Sequence, residues 1–263
     1  IDVHKIDRTS SLWLSLVSNV ANDAFSKLGN TNSILVDNLK HRIFVAKIIT
    51  TVFVVICFSI FFISVSNYLN VKPSLEWSWA YMLIVSPIVI YYLYHSREPL
   101  SYYGLRVDNI KDSALEGMFL SLMIVMAFSV LLYWFGYKLN VTVSSVFSYF
   151  FFPSVGVSCL YLVHSFLQEF LARGVMQTGL YELFPLGTSR KRRVFAITVA
   201  SFAFAITHLP FGLYAIIATF LAGIVYGYVY LKHQNLVGVS IFHFITGKCF
   251  FMLLVAMRVH SSM

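Results

Sequence analysis

Seven apolar stretches run along the chain, at about 44–67, 78–96, 115–136, 155–183, 194–209, 212–231 and 236–257. A helix needs about 20 residues to cross the hydrocarbon of a bilayer, and each stretch is near that length. The fifth is short and ends at Pro210, which predicts a tilted or incomplete crossing. An eighth crossing is expected if one of the long stretches breaks. The apolar run Val146–Phe152 is too short to span and predicts an interfacial helix.

Ahead of the first stretch the pattern changes. Residues 1–43 are polar, but Leu14, Val17, Ala21, Ala24, Leu28, Thr31 and Leu35 alternate spacings of three and four. That is a heptad seam of about three repeats, and Asn38 falls on its next core position. It predicts a coiled-coil-like helix feeding the first span, able to pair with a second copy as a homodimer or to relay a signal from upstream. The plainer alternative is an amphipathic helix lying on the membrane or on the bundle, because Gly29 and the Ala and Thr positions dilute the seam. This segment lacks the apolar core of a signal peptide, so no cleavable leader is expected in it. The chain starts at Ile1 rather than Met, which leaves room for sequence upstream. The organisation expected is therefore a cytoplasmic helix over 1–43, then an all-α, polytopic transmembrane bundle of seven to eight spans over 44–263. No internal repeat or low-complexity segment is evident.

Composition strengthens the membrane reading. The chain is 59% hydrophobic and 11% charged, with a mean hydropathy of +0.77. Soluble domains are nearer 45–50% apolar and about 25% charged. An ordinary cytosolic enzyme, a disordered chain and a disulfide scaffold are excluded. Cys57, Cys159 and Cys249 all lie inside apolar runs, so they form no disulfide framework.

The net charge of +8 could point to nucleic acid in another chain. Here the basic residues sit between spans, so the partner expected is the bilayer and not nucleic acid. With a cytoplasmic N-terminus, one side holds Lys5, Arg8, Lys27, Lys40, Arg42, Arg97, Arg106, Lys111, the run Arg190-Lys191-Arg192-Arg193, and Lys232. The other side holds only Lys72, Lys138 and Arg258. That bias orients the chain by the positive-inside rule. A multi-pass protein of the plasma or inner membrane is expected. The Arg190–Arg193 run reads first as a topology anchor and only second as a site for anionic lipid or a polybasic tail.

Ionisable groups within the spans are the candidates for chemistry, since each costs at least ~2.5–3.5 kcal/mol at the membrane centre. Glu169 is the one acidic residue well inside a stretch; His164, His208, His243, Arg173 and Lys248 are also inside. Glu169 and Arg173 are four apart and share a helix face, where they can pair. His164 and Gln168 share the adjacent face by the same spacing. The bland reading is a structural Glu–Arg pair with hydrogen-bonded histidines. Three stretches each bringing polar groups into an apolar bundle favour a functional cavity instead.

A buried carboxylate beside a neutral imidazole can activate water, and a second histidine can donate to a developing oxyanion. No Gly-x-Ser-x-Gly or His-Glu-x-x-His pattern is present. No helix-face pair of metal ligands arises from the spacing, so neither a metal nor an organic cofactor is expected. The set fits water-mediated amide hydrolysis in the membrane. Alternatives are a silent membrane sensor or scaffold, and a small-solute or proton transporter using Glu169 and the histidines as a relay. A transporter commonly carries a repeated half-structure, and none is found here.

At these residues the sequence resembles a known family. Gln168-Glu169-Phe170-Leu171-Ala172-Arg173-Gly174 resembles the Glu-Glu-x-x-x-Arg motif of the CAAX protease and bacteriocin-processing family. Phe204-Ala205-Ile206-Thr207-His208 is similar to its Phe-x-x-x-His motif, and His243-Phe244-Ile245-Thr246-Gly247 to its His-x-x-x-Asn motif. Glu98-Pro99-Leu100-Ser101-Tyr102-Tyr103-Gly104-Leu105 looks like the lead-in to the conserved helices, so the resemblance covers about 95–257.

The resemblance implies a helical glutamic intramembrane endopeptidase acting on a membrane protein or a lipidated, prenylated peptide. It implies that the first-motif glutamate and second-motif histidine activate water, and that the third-motif histidine and asparagine bind the oxyanion. Carried over, these positions are Gln168, His208, His243 and Gly247, with Glu169 and Arg173 completing the first motif. Phe204, Gly247, Lys248 and His164 would contact substrate.

Two positions depart from the family: Gln168 cannot serve as a base, and Gly247 has no side-chain donor. Three explanations compete: a divergent subfamily using Glu169 as base, an isosteric silencing replacement at Gln168, and a pseudoprotease. The first is favoured, because silencing at Gln168 leaves Gly247 unexplained. It gives water to Glu169 and His208, the intermediate to His243, and the orientation of Glu169 to Arg173.

Overall fold

Where the apolar stretches lie, the chain is helical. The computed structural model describes residues 18–19, 33–68, 76–96, 98–136, 155–184 and 187–261. Every regular element among them is a helix. We number the helices α1 (Ser33–Tyr68), α2 (Glu76–His95), α3 (Ile110–Gly136), α4 (Val155–Glu169), α5 (Thr178–Leu183), α6 (Ser189–Ile206), α7 (Leu213–His233) and α8 (Leu236–Ser261). A π-helical segment, Phe170–Gln177, joins α4 to α5. Short 3-10 turns at Leu100–Tyr103 and Leu209–Phe211 precede α3 and α7.

The chain divides into two compact units, Ile1–Val45 and Ala46–Met263. In the first unit the described residues are 18–19 and the start of α1, so most of the heptad seam lies outside the described residues. Val146–Phe152 lies outside them as well.

Among the described residues, three helical stretches are long and apolar enough to cross a membrane: Asp37–Phe58, Ile110–Leu131 and Leu213–His233. Leu236–Phe250 is apolar but shorter. Seven crossings were expected from hydropathy. The fourth and fifth stretches are helical but fall short as apolar spans, for different reasons. The fourth carries Gln168, Glu169, Arg173 and Gln177 in its middle, and α6 opens with four basic residues in succession. With these apolar helices the chain is a membrane protein.

The second unit packs through small residues, as helices in lipid do when backbones approach closely. On α3 and α8, a Cβ at Gly117 would strike the carbonyl of Gly238, and a Cβ at Gly238 would strike that of Ser113. The Gly238 N–H donates to Ser113 Oγ at 3.0 Å across the same crossing. On α7, a Cβ at Gly227 would come 2.8 Å from Ile197 Cγ2 of α6. Gly174 of the π segment lies against the carbonyl of Tyr103, so the 3-10 turn seats on bare backbone there.

A polar clamp closes one end of the bundle. Asn235 caps α8 by accepting from Val237 N–H at 2.9 Å. It also donates to Arg106 O at 2.9 Å and to Asn109 Oδ1 at 2.8 Å. Asn109 in turn donates to His233 O at 2.7 Å. Glu116 on α3 meets His233 Nε2 at 2.6 Å and Lys232 Nζ at 2.7 Å on α7.

Candidate active site

A carboxylate and a guanidinium both at 0% side-chain exposure form the centre of the second unit. Arg173 Nε donates to Glu169 Oε2 at 3.2 Å, the pair expected from the i, i+4 spacing. The other carboxylate oxygen, Oε1, lies 2.7 Å from His243 Nδ1 of α8. Arg173 Nη1 donates to Gln177 Oε1 and to Ser201 Oγ of α6, each at 3.1 Å. Gln177 Nε2 donates to the carbonyl of Gly227 on α7 at 3.1 Å. Five helical elements thus share one buried hydrogen-bonded chain, in which each charge faces partners rather than lipid.

The π segment is what the sequence reading missed. Stretch 155–183 reads as one regular helix, yet Phe170–Gln177 turns with wider spacing, and all eight of its residues are buried. Thr178 Oγ1 satisfies the loosened turn by donating to Arg173 O at 3.1 Å. π-Helical segments are rare and recur at functional sites. Gln177 was also missed, although it is the next four-residue step after Glu169 and Arg173. Ser201 and Tyr226 carry no distinguishing signal along the chain.

Glycines on α7 make room for this chain. A Cβ at Gly223 would sit 3.1 Å from Ser201 Cβ and 3.3 Å from Arg173 Nη2. A Cβ at Gly227 would sit 2.9 Å from Gln177 Oε1. The four-residue glycine pair therefore admits a buried polar network, in addition to close helix packing.

The histidines converge on the same centre. His243 is buried, stacked on Tyr226 with centroids 5.1 Å apart and edge-on to Phe204 at 5.6 Å. Phe204 is also edge-on to His208 at 5.0 Å, so one phenyl ring touches both imidazoles. His208 Nδ1 lies 3.2 Å from Phe204 O and from Thr207 Oγ1. His208 is within electrostatic range of both His243 and His164. Gln168 is buried on the last turn of α4 and forms no side-chain hydrogen bond among the described residues. Lys248 donates to Ser158 Oγ at 3.0 Å and stands over the Phe244 ring at 4.9 Å.

Residues 150–247 match a family model described as Rce1-like, type II CAAX prenyl endopeptidase Rce1-like. The chain carries a CAAX protease-like segment. This Rce1-like segment covers less than half of the chain. It runs from just ahead of α4 to Gly247 of α8, and so holds Glu169, Arg173, Phe204, His208 and His243. The family so described is one of endopeptidases. No curated protein and no solved structure matches the chain.

The two tautomers follow from the partners. A carboxylate facing a guanidinium is an acceptor, so the proton in the His243–Glu169 contact belongs to Nδ1, and in the neutral ring His243 Nε2 carries the lone pair. A carbonyl can only accept, so His208 Nδ1 donates to Phe204 O, and its Nε2 also carries a lone pair. In their neutral forms the two imidazoles on either side of Phe204 are acceptors. Both oxygens of Glu169 are occupied by Arg173 and His243.

Proposed function

We propose that this chain is an intramembrane endopeptidase that hydrolyses a peptide bond in a membrane-associated, prenylated protein or peptide. The observation carrying the reading is the 2.7 Å contact between Glu169 Oε1 and His243 Nδ1, fixed from behind by Arg173. A histidine whose Nδ1 is held by a buried carboxylate is oriented to accept a proton at Nε2.

In this reading His243 is the base, and Glu169 is the group that orients it. Water held between His243 and His208 adds to the carbonyl carbon and gives its proton to His243 Nε2. The carbonyl electron pair moves to oxygen. As the carbonyl re-forms, the carbon–nitrogen bond breaks and the departing amine takes the proton from His243. Gln168 needs no basic character in this scheme, and its amide is suited to holding water or substrate. Phe204, edge-on to both rings, sets the spacing of the two imidazoles. The N-terminal segment lies on the cytoplasmic side, where prenylated proteins are made.

The test maps new protein termini in native membranes and follows cleavage of a farnesylated peptide ending in Cys-Val-Ile-Met by the full chain in detergent. Cleavage by the parent chain that is lost in Glu169→Gln, His243→Ala and His208→Ala supports the reading. Cleavage that appears only in Gln168→Glu would sink it and leave a chain silenced at that position. Termini unchanged in every variant would show a non-catalytic membrane protein.

A further inference from the structure

We propose that the hydroxyl of Tyr161 supplies the hydrogen bond that holds the substrate carbonyl oxygen as it becomes negative. The proposal rests on the peptidase reading above. Tyr161 lies on α4, two turns before Glu169. Its ring is 5.6 Å from Phe244, and it is stacked beside His164 at 6.4 Å with 25° between the planes.

The decisive contact is with Gly247. A Cβ added at Gly247 would overlap the Tyr161 hydroxyl oxygen and lie 3.1 Å from Cζ. The phenol thus fills the space that any side chain at 247 would occupy. Gly247 and Tyr161 are a matched pair: one gives up its side chain where the other inserts a polar group.

That place is one turn along α8 from His243, about 6 Å of helix rise. A carbonyl group and its attacking water bridge two groups at such a separation, with water at His243 and oxygen at the phenol. The Ser165 side chain is the present hydrogen-bond partner of the phenol, and the substrate oxygen takes its place. Tyr226, which stacks on His243, is itself hydrogen-bonded to Thr246 and lies within electrostatic range of Tyr161. A neutral phenol is an O–H donor that adds no charge to the site, and its bond strengthens only as charge develops on the oxygen.

The experiment compares kcat and KM for the farnesylated peptide across Tyr161→Phe, Gly247→Ala, Tyr161→Ala and the double swap Tyr161→Ala with Gly247→Asn, using the full chain. Tyr161→Phe should lower kcat by about 10²–10³-fold with KM nearly unchanged, the loss seen when one such donor is removed. Gly247→Ala should do the same by displacing the phenol. The double swap, which puts an amide donor into the vacated space, should recover at least tenfold over Tyr161→Ala alone. Its recovery decides the matter if Tyr161→Phe fails to fold.

Parent kcat in Tyr161→Phe, or no recovery in the swap, overturns the proposal. If His243→Ala abolishes cleavage while Tyr161→Phe is fully active, only this proposal fails. No cleavage of peptide or membrane protein by the parent chain overturns both.

Discussion

Two polar clusters hold the second unit together, and they solve opposite problems. The Glu169–Arg173 cluster is closed to solvent, and its side chains come from α4, the π segment, α6 and α8. The clamp at one end of the bundle joins the loop before α3 to the α7–α8 junction. It is part-exposed, with Lys232 64% exposed opposite Glu116 at 22%. In the first, a lost partner strands a charge in an apolar interior. In the second, water replaces a lost partner of the Glu116–Lys232 ion pair. The same chemical groups are therefore worth very different amounts in the two places.

The sharpest test of that contrast is Arg173→Met. It leaves the Glu169 carboxylate buried beside one histidine, and removing one member of a buried pair costs ~3–5 kcal/mol. Thermal unfolding in detergent should show the loss, and Glu169→Gln combined with Arg173→Met should restore part of it. A cost near zero would mean that water reaches the pair and the contrast is false.

Asn235→Ala comes next. The side chain is 1% exposed and makes three hydrogen bonds, so its removal should cost about 2 kcal/mol by stranding Asn109 and uncapping α8. Glu116→Gln should cost less than about 1 kcal/mol and lose its effect at high salt, as exposed ion pairs do. An effect as large as that of Arg173→Met would erase the distinction between the clusters.

The smallest effect concerns Asp108. Two hydrogen bonds from Arg106, at 2.6 and 3.0 Å, hold the Asp108 carboxyl below the usual carboxylate range. A depressed value in the folded state stabilises at neutral pH, and that contribution fades as pH falls through the lowered value. Titration of the Asp108 carboxyl by NMR should show a midpoint below the ordinary one. Arg106→Gln should raise it back.

Much of this arrangement was legible before any coordinates. Helix positions followed the apolar stretches, because in lipid the backbone must satisfy itself and helices do that. The Glu169–Arg173 pair followed from spacing, and the charged residues that lipid does not tolerate pointed to the centre. What sequence did not reveal depends on relations between helices. Whether a carboxylate faces a histidine three stretches away is set by rotation about each axis, which hydropathy leaves open. Gly247 read as a missing asparagine until Tyr161, 86 positions earlier, was found filling its space. The count of crossings also went beyond hydropathy, since α6 and the Glu169-bearing stretch are helical without being apolar throughout.

The π segment also limits how this chain can vary. A regular helix advances about 100° per residue. Deleting one residue within Phe170–Gln177 would let the turn tighten to an ordinary helix; the helices on either side would nearly keep their register, while the side chains inside the segment would turn relative to both. Arg173 and Gln177 could no longer both keep their present partners. Substitutions within these eight positions alter chemistry one atom at a time, whereas a change in their number would rewire the site. Length, more than identity, is the quantity this segment must conserve.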